Sequence, residues 1–236
     1  MSMNFNLHQI GIVHSPFKEK FGIPRQTGLI EGCDGSIELQ SPWNRQEALQ
    51  GLEGFSHLWI VFIFHEAIKP KEKWRPTVRP PRLGAKRQGV FATRSPYRPN
   101  PIGMSVVEYH GWEKRGGKLY LKISGLDLLD ATPVLDIKPY LPYADSLPDA
   151  VGGFAHKAPE ADSLMSVSFS EAALQKIEAV SDKYPQLIKL IETTIKHNPR
   201  PAYFGNIEAR RAFGMKLYEF DVQWEIIDDQ ITVLTL

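Results

Sequence analysis

The sequence predicts a mainly β protein, with a larger N-terminal β-barrel or β-sandwich and a smaller C-terminal α+β domain. Two observations carry this prediction. Up to about residue 138, short β-rich segments alternate with turn residues and helical periods are few, which is typical of barrels and sandwiches. Beyond residue 163 the pattern changes to a mixture of strands and helices. We therefore expect domains at 1–145 and 164–236, joined by a linker over 146–163.

The N-terminal part contains seven β-rich segments, at residues 8–14, 36–39, 56–65, 89–93, 104–112, 119–123 and 132–137. Within the third segment, residues 58–64 form a continuous apolar run with the β-branched and aromatic content of a buried strand. The fifth and sixth segments flank residues 114–117 (KRGG), which indicates a hairpin. A short helix is expected at 46–52.

The C-terminal part begins with a predicted strand at 164–169 and continues with two helices. The first helix is expected at 171–180 with Ser170 as its N-cap, and the second at 185–195 with Pro185 at its first position. Residues 216–227 alternate between apolar and polar side chains, which predicts one half-buried strand. A turn at 228–229 leads into its partner strand at 231–236.

The composition excludes several classes of protein. The net charge is +1, from 28 basic and 27 acidic residues, so any argument for nucleic-acid binding must rest on local charge. The single cysteine, Cys33, cannot form an internal disulfide, and the histidines lack the spacing of metal ligands, so we expect no metal site. No apolar run reaches the roughly 20 residues of a membrane-spanning helix. We expect a soluble cytoplasmic protein without a membrane anchor.

The most unusual segment is the basic segment, residues 69–98. It holds ten basic residues and one acidic residue, with Trp74, Phe91 and Tyr97 among them. Basic side chains neutralise phosphates and aromatic rings stack on unpaired bases, so this composition fits RNA binding. A solvated basic loop is the alternative, and the sequence favours neither.

Proline-stiffened backbone presents polar groups at residues 94–103 (RSPYRPNPIG). Rigidly held arginines such as Arg98 suit a carboxylate or a phosphate, and Asn100 suits a base edge. The alternative is a turn that merely joins two strands. At residues 136–140, Asp136 and Lys138 point to one face of a predicted strand, with Tyr140 just beyond. These three side chains could orient an amine or move a proton, or could form a structural ion pair at a barrel rim.

The glycine fingerprint of dinucleotide-binding folds, the phosphate-binding loop and the nucleophile elbow are all absent from the sequence. Pattern alone therefore leaves a non-catalytic RNA-binding module as one interpretation. The segment 75–82 (RPTVRPPR) also superficially fits a ligand of an SH3-like partner. Such ligands usually lie in disordered tails, whereas this one is flanked by predicted strands.

Several motifs, in order, resemble the TrmO (TsaA-like, YaeB) family of S-adenosylmethionine-dependent tRNA methyltransferases. They are residues 24–26 (PRQ), 55–59 (FSHLW), 74–76 (WRP), 79–82 (RPPR), 89–95 (GVFATRS), 98–103 (RPNPIG), 136–140 (DIKPY) and 198–203 (NPRPAY). The resemblance implies methyl transfer from S-adenosylmethionine to N6 of the threonylcarbamoyl-adenosine beside the tRNA anticodon. It also implies an N-terminal single-sheet β-barrel, a homodimer and the tRNA anticodon loop as partner.

The resemblance also implies a set of site residues. The implied cofactor contacts are Pro24, Arg25, Gln26, His65, Glu66, Arg94, Met104, Val134, Leu135 and Ile137. The implied catalytic residues are Asp136 as proton acceptor or N6–H orienter, Asn100 as reader of the adenine edge, and Lys138. The implied substrate contacts are Arg98, which with Lys138 would hold the threonyl carboxylate, and Tyr140, Arg75, Arg79 and Arg82. The C-terminal domain would help RNA docking or simply pack against the barrel, and both alternatives stay open.

Overall fold

The computed structural model describes residues 4–67, 74–84, 86–158, 166–197, 212–227 and 230–236. Twelve strands and three α-helices are present in these ranges, so the prediction of a mainly β protein is confirmed. The strands fall into a six-stranded sheet, a four-stranded sheet and a two-stranded ribbon.

The N-terminal sheet closes on itself. Its strands are β1 (Gly11–His14), β2 (Asp34–Leu39), β3 (His57–Ile63), β6 (Ile102–Arg115), β7 (Lys118–Ser124) and β8 (Pro133–Pro139). They are hydrogen-bonded in the order β1-β2-β7-β6-β3-β8, and β1 also pairs with β8, which makes a closed barrel. All of these pairs are antiparallel.

Strand β3 shows how the sequence fills this barrel. Leu58, Ile60 and Phe62 are buried and alternate with the partly exposed Trp59 and Val61. The continuous apolar run of this strand therefore does not mean burial on both faces. One face packs in the barrel core, and the other is available to line a surface.

The hairpin between β6 and β7 is confirmed and turns at Gly116 and Gly117. Both glycines have positive φ (58° and 80°), which a two-residue turn with the right-handed strand twist requires. Strand β6 begins two residues before the predicted segment and ends three residues after it, with a pairing irregularity between Tyr109 and Trp112.

Two N-terminal predictions are wrong in detail. The predicted helix at 46–52 is two 3-10 turns, Gln46–Leu49 and Leu52–Gly54, because Gly51 takes a left-handed φ of 84° between them. The predicted strand at 89–93 is only the end of β5 (Gln88–Gly89), which pairs with β4 (Thr77–Val78) and runs into a 3-10 turn, Val90–Ala92.

The C-terminal part contains β9 (Ser166–Phe169), α2 (Glu171–Glu178), α3 (Leu187–Lys196), β10 (Ala212–Leu217), β11 (Phe220–Ile227) and β12 (Gln230–Thr235). The sheet order is β10-β11-β12-β9, with β9 parallel to β12. The predicted Ser170 cap is confirmed, whereas α3 begins two residues after Pro185. A short helix, α1 (Pro142–Asp145), follows the barrel.

The single strand predicted at 216–227 is wrong, because a hairpin divides it. Tyr218 takes a positive φ of 53° in the turn between β10 and β11. This turn contains no glycine or asparagine, and the alternation of apolar and polar residues continues through it. The sequence pattern therefore predicted one continuous strand instead of a hairpin. The predicted turn at 228–229 and the NPRPAY motif at 198–203 lie outside the described residues.

The barrel and the C-terminal sheet share one apolar core. Phe17, which is fully buried, forms a backbone bridge to Leu217 at the end of β10. The Tyr218 N–H donates a hydrogen bond to the Pro16 carbonyl at 2.7 Å. On the other side, Gly32 lies against the start of α3, where an added Cβ would approach the Gln186 carbonyl oxygen to 2.9 Å. The two sheets therefore form one packed body.

Candidate active site

A cleft of about 770 Å³ lies where several loops meet strands β3 and β6. Its walls come from the loop at residues 20–27 after β1, from β3 with the turn His65–Ala67, and from the loop at residues 93–98. The start of β6, residues 127–129 with Thr132, and residues near α1 complete them. A volume of this size is typical of a site for a small molecule.

Most of the implied cofactor contacts meet in this cleft. The seven implied contacts that line it are Pro24, Arg25, Gln26, His65, Glu66, Arg94 and Met104. They come from four separate segments of the chain, so it is the tertiary structure that brings them together.

Hydrogen bonds fix these segments to one another. Arg94 Nη1 donates to Gln26 Oε1, and Gln26 Nε2 donates to the Arg25 carbonyl. Lys20 Nζ donates to the Glu66 carbonyl at 2.9 Å and lies 3.6 Å from a Glu66 carboxylate oxygen. The loop at 20–26 is thereby tied both to the 93–98 loop and to the end of β3.

The three β8 residues of the implied cofactor set do not line the cleft. Val134 is fully buried in the barrel core. Ile137 pairs with the buried Ile60 and packs against the same core. Leu135 lies at an irregularity in the β3–β8 pairing, between Val134 and Asp136.

The implied catalytic residues lie outside the cleft lining. Asp136 and Lys138 form an ion pair at 2.7 Å, with 47% of the Asp136 side chain exposed. Asp136 pairs with Val61 on β3, between the cleft-lining residues Trp59 and Phe62, so its backbone is one strand spacing, roughly 5 Å, from the β3 wall of the cleft. Asn100 is exposed, and its carbonyl accepts a 2.7 Å hydrogen bond from the Ile102 N–H.

Two implied substrate contacts, Arg98 and Tyr140, line the cleft. Arg98 Nη1 donates to the carbonyls of Val90 at 3.2 Å and Thr93 at 2.7 Å, and its guanidinium lies 5.9 Å from the centre of the exposed Phe91 ring. These contacts hold Arg98 in one orientation. The Tyr140 ring lies 6.0 Å from that of Trp59.

The other implied substrate contacts, Arg75, Arg79 and Arg82, are exposed and lie outside the cleft lining. Arg82 Nη1 donates to the Lys157 carbonyl at 2.7 Å. Part of the basic segment, at residues 69–73, falls outside the described ranges.

Sequence reasoning missed a polar pair at the cleft, Ser105 and Asp127. The Ser105 hydroxyl donates to Asp127 Oδ1 at 2.6 Å. Burial raises the pKa of the Asp127 carboxyl to about 6, against the lowering effects of the Ser105 hydrogen bond and the Arg94 charge. One signal for this pair was available, because Ser105 is a polar residue on the inward-facing side of β6, between Gly103 and Val107.

No helix in the described ranges is both long and apolar enough to cross a membrane. Among those same residues, no three His, Cys, Asp or Glu side chains are grouped so that they could hold a metal ion.

Comparison with known proteins gives matches along nearly the whole chain. A family model described as the tRNA-methyltransferase O N-terminal domain matches residues 12–146, and one described as the TrmO C-terminal domain matches residues 162–236. An Escherichia coli (strain K12) protein named tRNA (adenine(37)-N6)-methyltransferase is 47% identical over 234 residues, which cover 99% of this chain and 98% of that protein.

Two further relatives are similar to this chain. A Pseudomonas aeruginosa protein, provisionally named as the S-adenosylmethionine-dependent methyltransferase RcsF, is 46% identical over 224 residues, or 94% of this chain and 93% of that protein. A crystal structure of TrmO from Pseudomonas aeruginosa superposes with a TM-score of 0.78 at 40% identity, covering 99% of this chain and 98% of that one.

Proposed function

The chain belongs to the TrmO family, and on that premise we propose that it transfers a methyl group from S-adenosylmethionine to N6 of threonylcarbamoyl-adenosine beside the anticodon of tRNA. The observation that carries the proposal is the convergence of seven implied cofactor contacts, from four chain segments, on one cleft. A homodimer belongs to the same proposal and rests on the family resemblance, whereas the cytoplasmic location stays an expectation from the sequence pattern.

The residues of the cleft fit S-adenosylmethionine. Trp59, Phe64 and Met104 offer apolar surface for a purine ring, and Arg25 and Arg94 offer positive charge for a carboxylate. When bound, S-adenosylmethionine supplies a methyl group on a positively charged sulfur. The chain's part is to align that methyl group with the acceptor nitrogen and to exclude water.

We assign the threonyl carboxylate of the substrate to Arg98 and Lys138. In the described part of the chain, the hydrogen bonds of Arg98 use only Nη1, which leaves Nη2 and Nε for a carboxylate. Lys138 extends from the same outer face as Trp59, its pairing partner on β3. Asp136 keeps the Lys138 ammonium in place through their 2.7 Å ion pair, and is a positioning residue in this proposal.

The remaining implied contacts belong to the tRNA side of the proposal. Asn100 and Tyr140 meet the modified base, and Arg75, Arg79 and Arg82 meet phosphates of the anticodon loop. Exposure of the three arginines supports this assignment, because phosphate contacts need side chains that reach into solvent.

The direct test is methylation of two tRNAs, one that carries the threonylcarbamoyl group and one that lacks it. Mass analysis of the nucleosides should find the methylated product from the modified tRNA. The rate on unmodified tRNA should be lower by at least about tenfold, because Arg98 and Lys138 then have no carboxylate to bind.

A charge-removing variant sharpens this test. Lys138→Gln should lower the rate on the modified tRNA, whereas Lys122→Gln, an exposed lysine on β7 outside the cleft, should match the wild type. Equal wild-type rates on the two tRNAs would reject the carboxylate assignment. Tight tRNA binding without turnover, and without saturable S-adenosylmethionine binding in calorimetry, would favour the RNA-binding module instead.

A further inference from the structure

Asp127 is set into the barrel between two core residues. Leu126 and Leu128 are each 1% exposed, so their burial fixes the backbone on both sides of the aspartate. Asp127 itself lines the cleft. A carboxylate is thus held rigidly at a wall of the site by apolar packing.

The Asp127 carboxylate lacks a neutralising partner. Ser105, itself 5% exposed, donates to Oδ1 at 2.6 Å. Among the described residues no ion pair reaches Asp127; its own backbone N–H and the more distant charge of Arg94 also stabilise the carboxylate. Even partial burial of a charged group without an ion-pair partner is costly, so this arrangement points to a function.

The two other carboxylates of the cleft are engaged or exposed. Glu66 is 57% exposed and lies 3.6 Å from Lys20 Nζ. Asp145 accepts hydrogen bonds from Trp59 Nε1 at 3.0 Å and from the Leu141 N–H at 2.8 Å. Asp136 lies outside the cleft in its ion pair with Lys138.

The proton affinity of Asp127 suits a base that works near neutral pH. Burial raises its pKa to about 6, so most of the group is ionised at pH 7 and still takes up a proton readily. The Ser105 hydrogen bond and the Arg94 charge both favour the ionised form.

We propose that Asp127 is the catalytic proton acceptor of the methyl transfer, a role that rests on the function proposed above. The N6 nitrogen forms a bond to the methyl carbon while the carbon–sulfur bond breaks, and that electron pair stays on sulfur. The proton of N6 moves to Oδ2 of Asp127, the oxygen that Ser105 does not contact, and solvent takes it up when product leaves. Ser105 is the positioning residue that holds Oδ1 throughout.

The first test is Asp127→Asn, which keeps the shape of the side chain and removes its basicity. The turnover number on the modified tRNA should fall by at least about 100-fold. The dissociation constant for S-adenosylmethionine, measured by calorimetry, should stay within about threefold of the wild-type value, which also reports an intact fold. The matched control is Asp130→Asn, three positions along, where the carboxylate contacts Ser15 N–H and Lys18 outside the cleft. It should keep the wild-type turnover number.

The second test is the pH profile of Ser105→Ala. Wild-type turnover should rise with pH to a plateau with a midpoint near pH 6, and the variant's midpoint should move upward because the hydrogen bond that lowers the Asp127 pKa is gone. The groups that face Asp127 are Ser105 on β6, Arg94 in the 93–98 loop and Cys33, whose pKa burial raises so far that it stays neutral. His65 also lines the cleft, but the Ser105 hydroxyl contacts Asp127 and not His65 in the described part of the chain, so its loss should shift the Asp127 midpoint alone.

Two outcomes would overturn the proposal. One is an Asp127→Asn enzyme whose turnover number lies within threefold of the wild type. The other is a loss that saturating S-adenosylmethionine restores, which would make Asp127 a contact for the methyl donor. Both differ from failure of the proposed function, in which the wild-type enzyme itself forms no methylated nucleoside.

Discussion

Gly103 illustrates how a single residue shapes the cleft. It lies at the start of β6 and lines the site, and an added Cβ would come within 2.3 Å of the Phe62 ring and 2.9 Å of the Phe64 ring. Those rings pack edge to face with centres 5.0 Å apart. Gly103→Ala should therefore destabilise the protein by about 1–3 kcal/mol, measured by urea unfolding, and weaken S-adenosylmethionine binding.

The control for this prediction is Gly54→Ala. Nothing lies within 4 Å of the position that its Cβ would take, and this glycine does not need a left-handed φ. Its unfolding free energy should stay within about 0.5 kcal/mol of the wild type. Equal stability of the two variants would mean that the phenylalanine rings move aside and do not define the cleft wall.

Helix α2 is an element whose stability depends on Ser170, the residue that caps its N-terminus. Ser170 Oγ accepts a hydrogen bond from the Ala173 N–H at 3.1 Å and donates one to the Leu234 carbonyl at 2.7 Å. The cap thus joins the helix to the strand segment beside it. Ser170→Ala should lower the free energy of unfolding by about 1–2 kcal/mol in urea denaturation.

Ser181→Ala provides the comparison for that helix cap. The Ser181 hydroxyl is exposed beyond the end of α2 and donates to the Glu178 carbonyl at 2.8 Å, so its removal should cost under about 0.5 kcal/mol. A Ser170→Ala protein as stable as Ser181→Ala would contradict the capping role.

At the scale of the whole molecule, the contact between the barrel and α3 couples the two sheets. Gly32 has a φ of 70°, and a Cβ there would approach the Gln186 carbonyl oxygen to 2.9 Å and the Leu190 nitrogen to 3.1 Å. Gly32→Ala should therefore push α3 from the barrel. We expect the free energy of unfolding, measured by calorimetry, to fall by more than the cost of placing alanine at a left-handed φ. The additional loss should be roughly 1–3 kcal/mol, because the new Cβ collides with α3.

Gly28→Ala isolates the backbone part of that loss, because Gly28 has a nearly identical φ of 69° with nothing within 4 Å of its Cβ position. Since the two sheets share one apolar core, the wild-type protein should unfold in a single calorimetric transition. The coupling would be contradicted if the wild-type protein unfolded in two separate transitions and if Gly32→Ala had the same midpoint temperatures as Gly28→Ala.

Much of the fold follows from local pattern, and the departures have local causes. The hairpin at Gly116–Gly117 and the Ser170 cap were predictable because each depends on residues adjacent in sequence. The reversal at Tyr218 was not, because a non-glycine residue with positive φ leaves no compositional mark. A 3-10 turn at 90–92 stands where a strand was predicted. The Val90 N–H there donates to the Pro76 carbonyl, and this contact between separate segments is not visible in the local sequence.

By itself the sequence determined the mainly β class, the order of most strands and, through motif resemblance, seven cofactor contacts that the fold brings to the cleft. Only the tertiary structure decided that Val134 faces the core, that Asp136 is tied to Lys138, and that Asp127 lies at the cleft. The physical reason is that the proton affinity of a carboxylate depends on desolvation and on charges brought close by the fold. For Asp127 those surroundings come from Ser105 and Arg94, which lie far from it in the sequence.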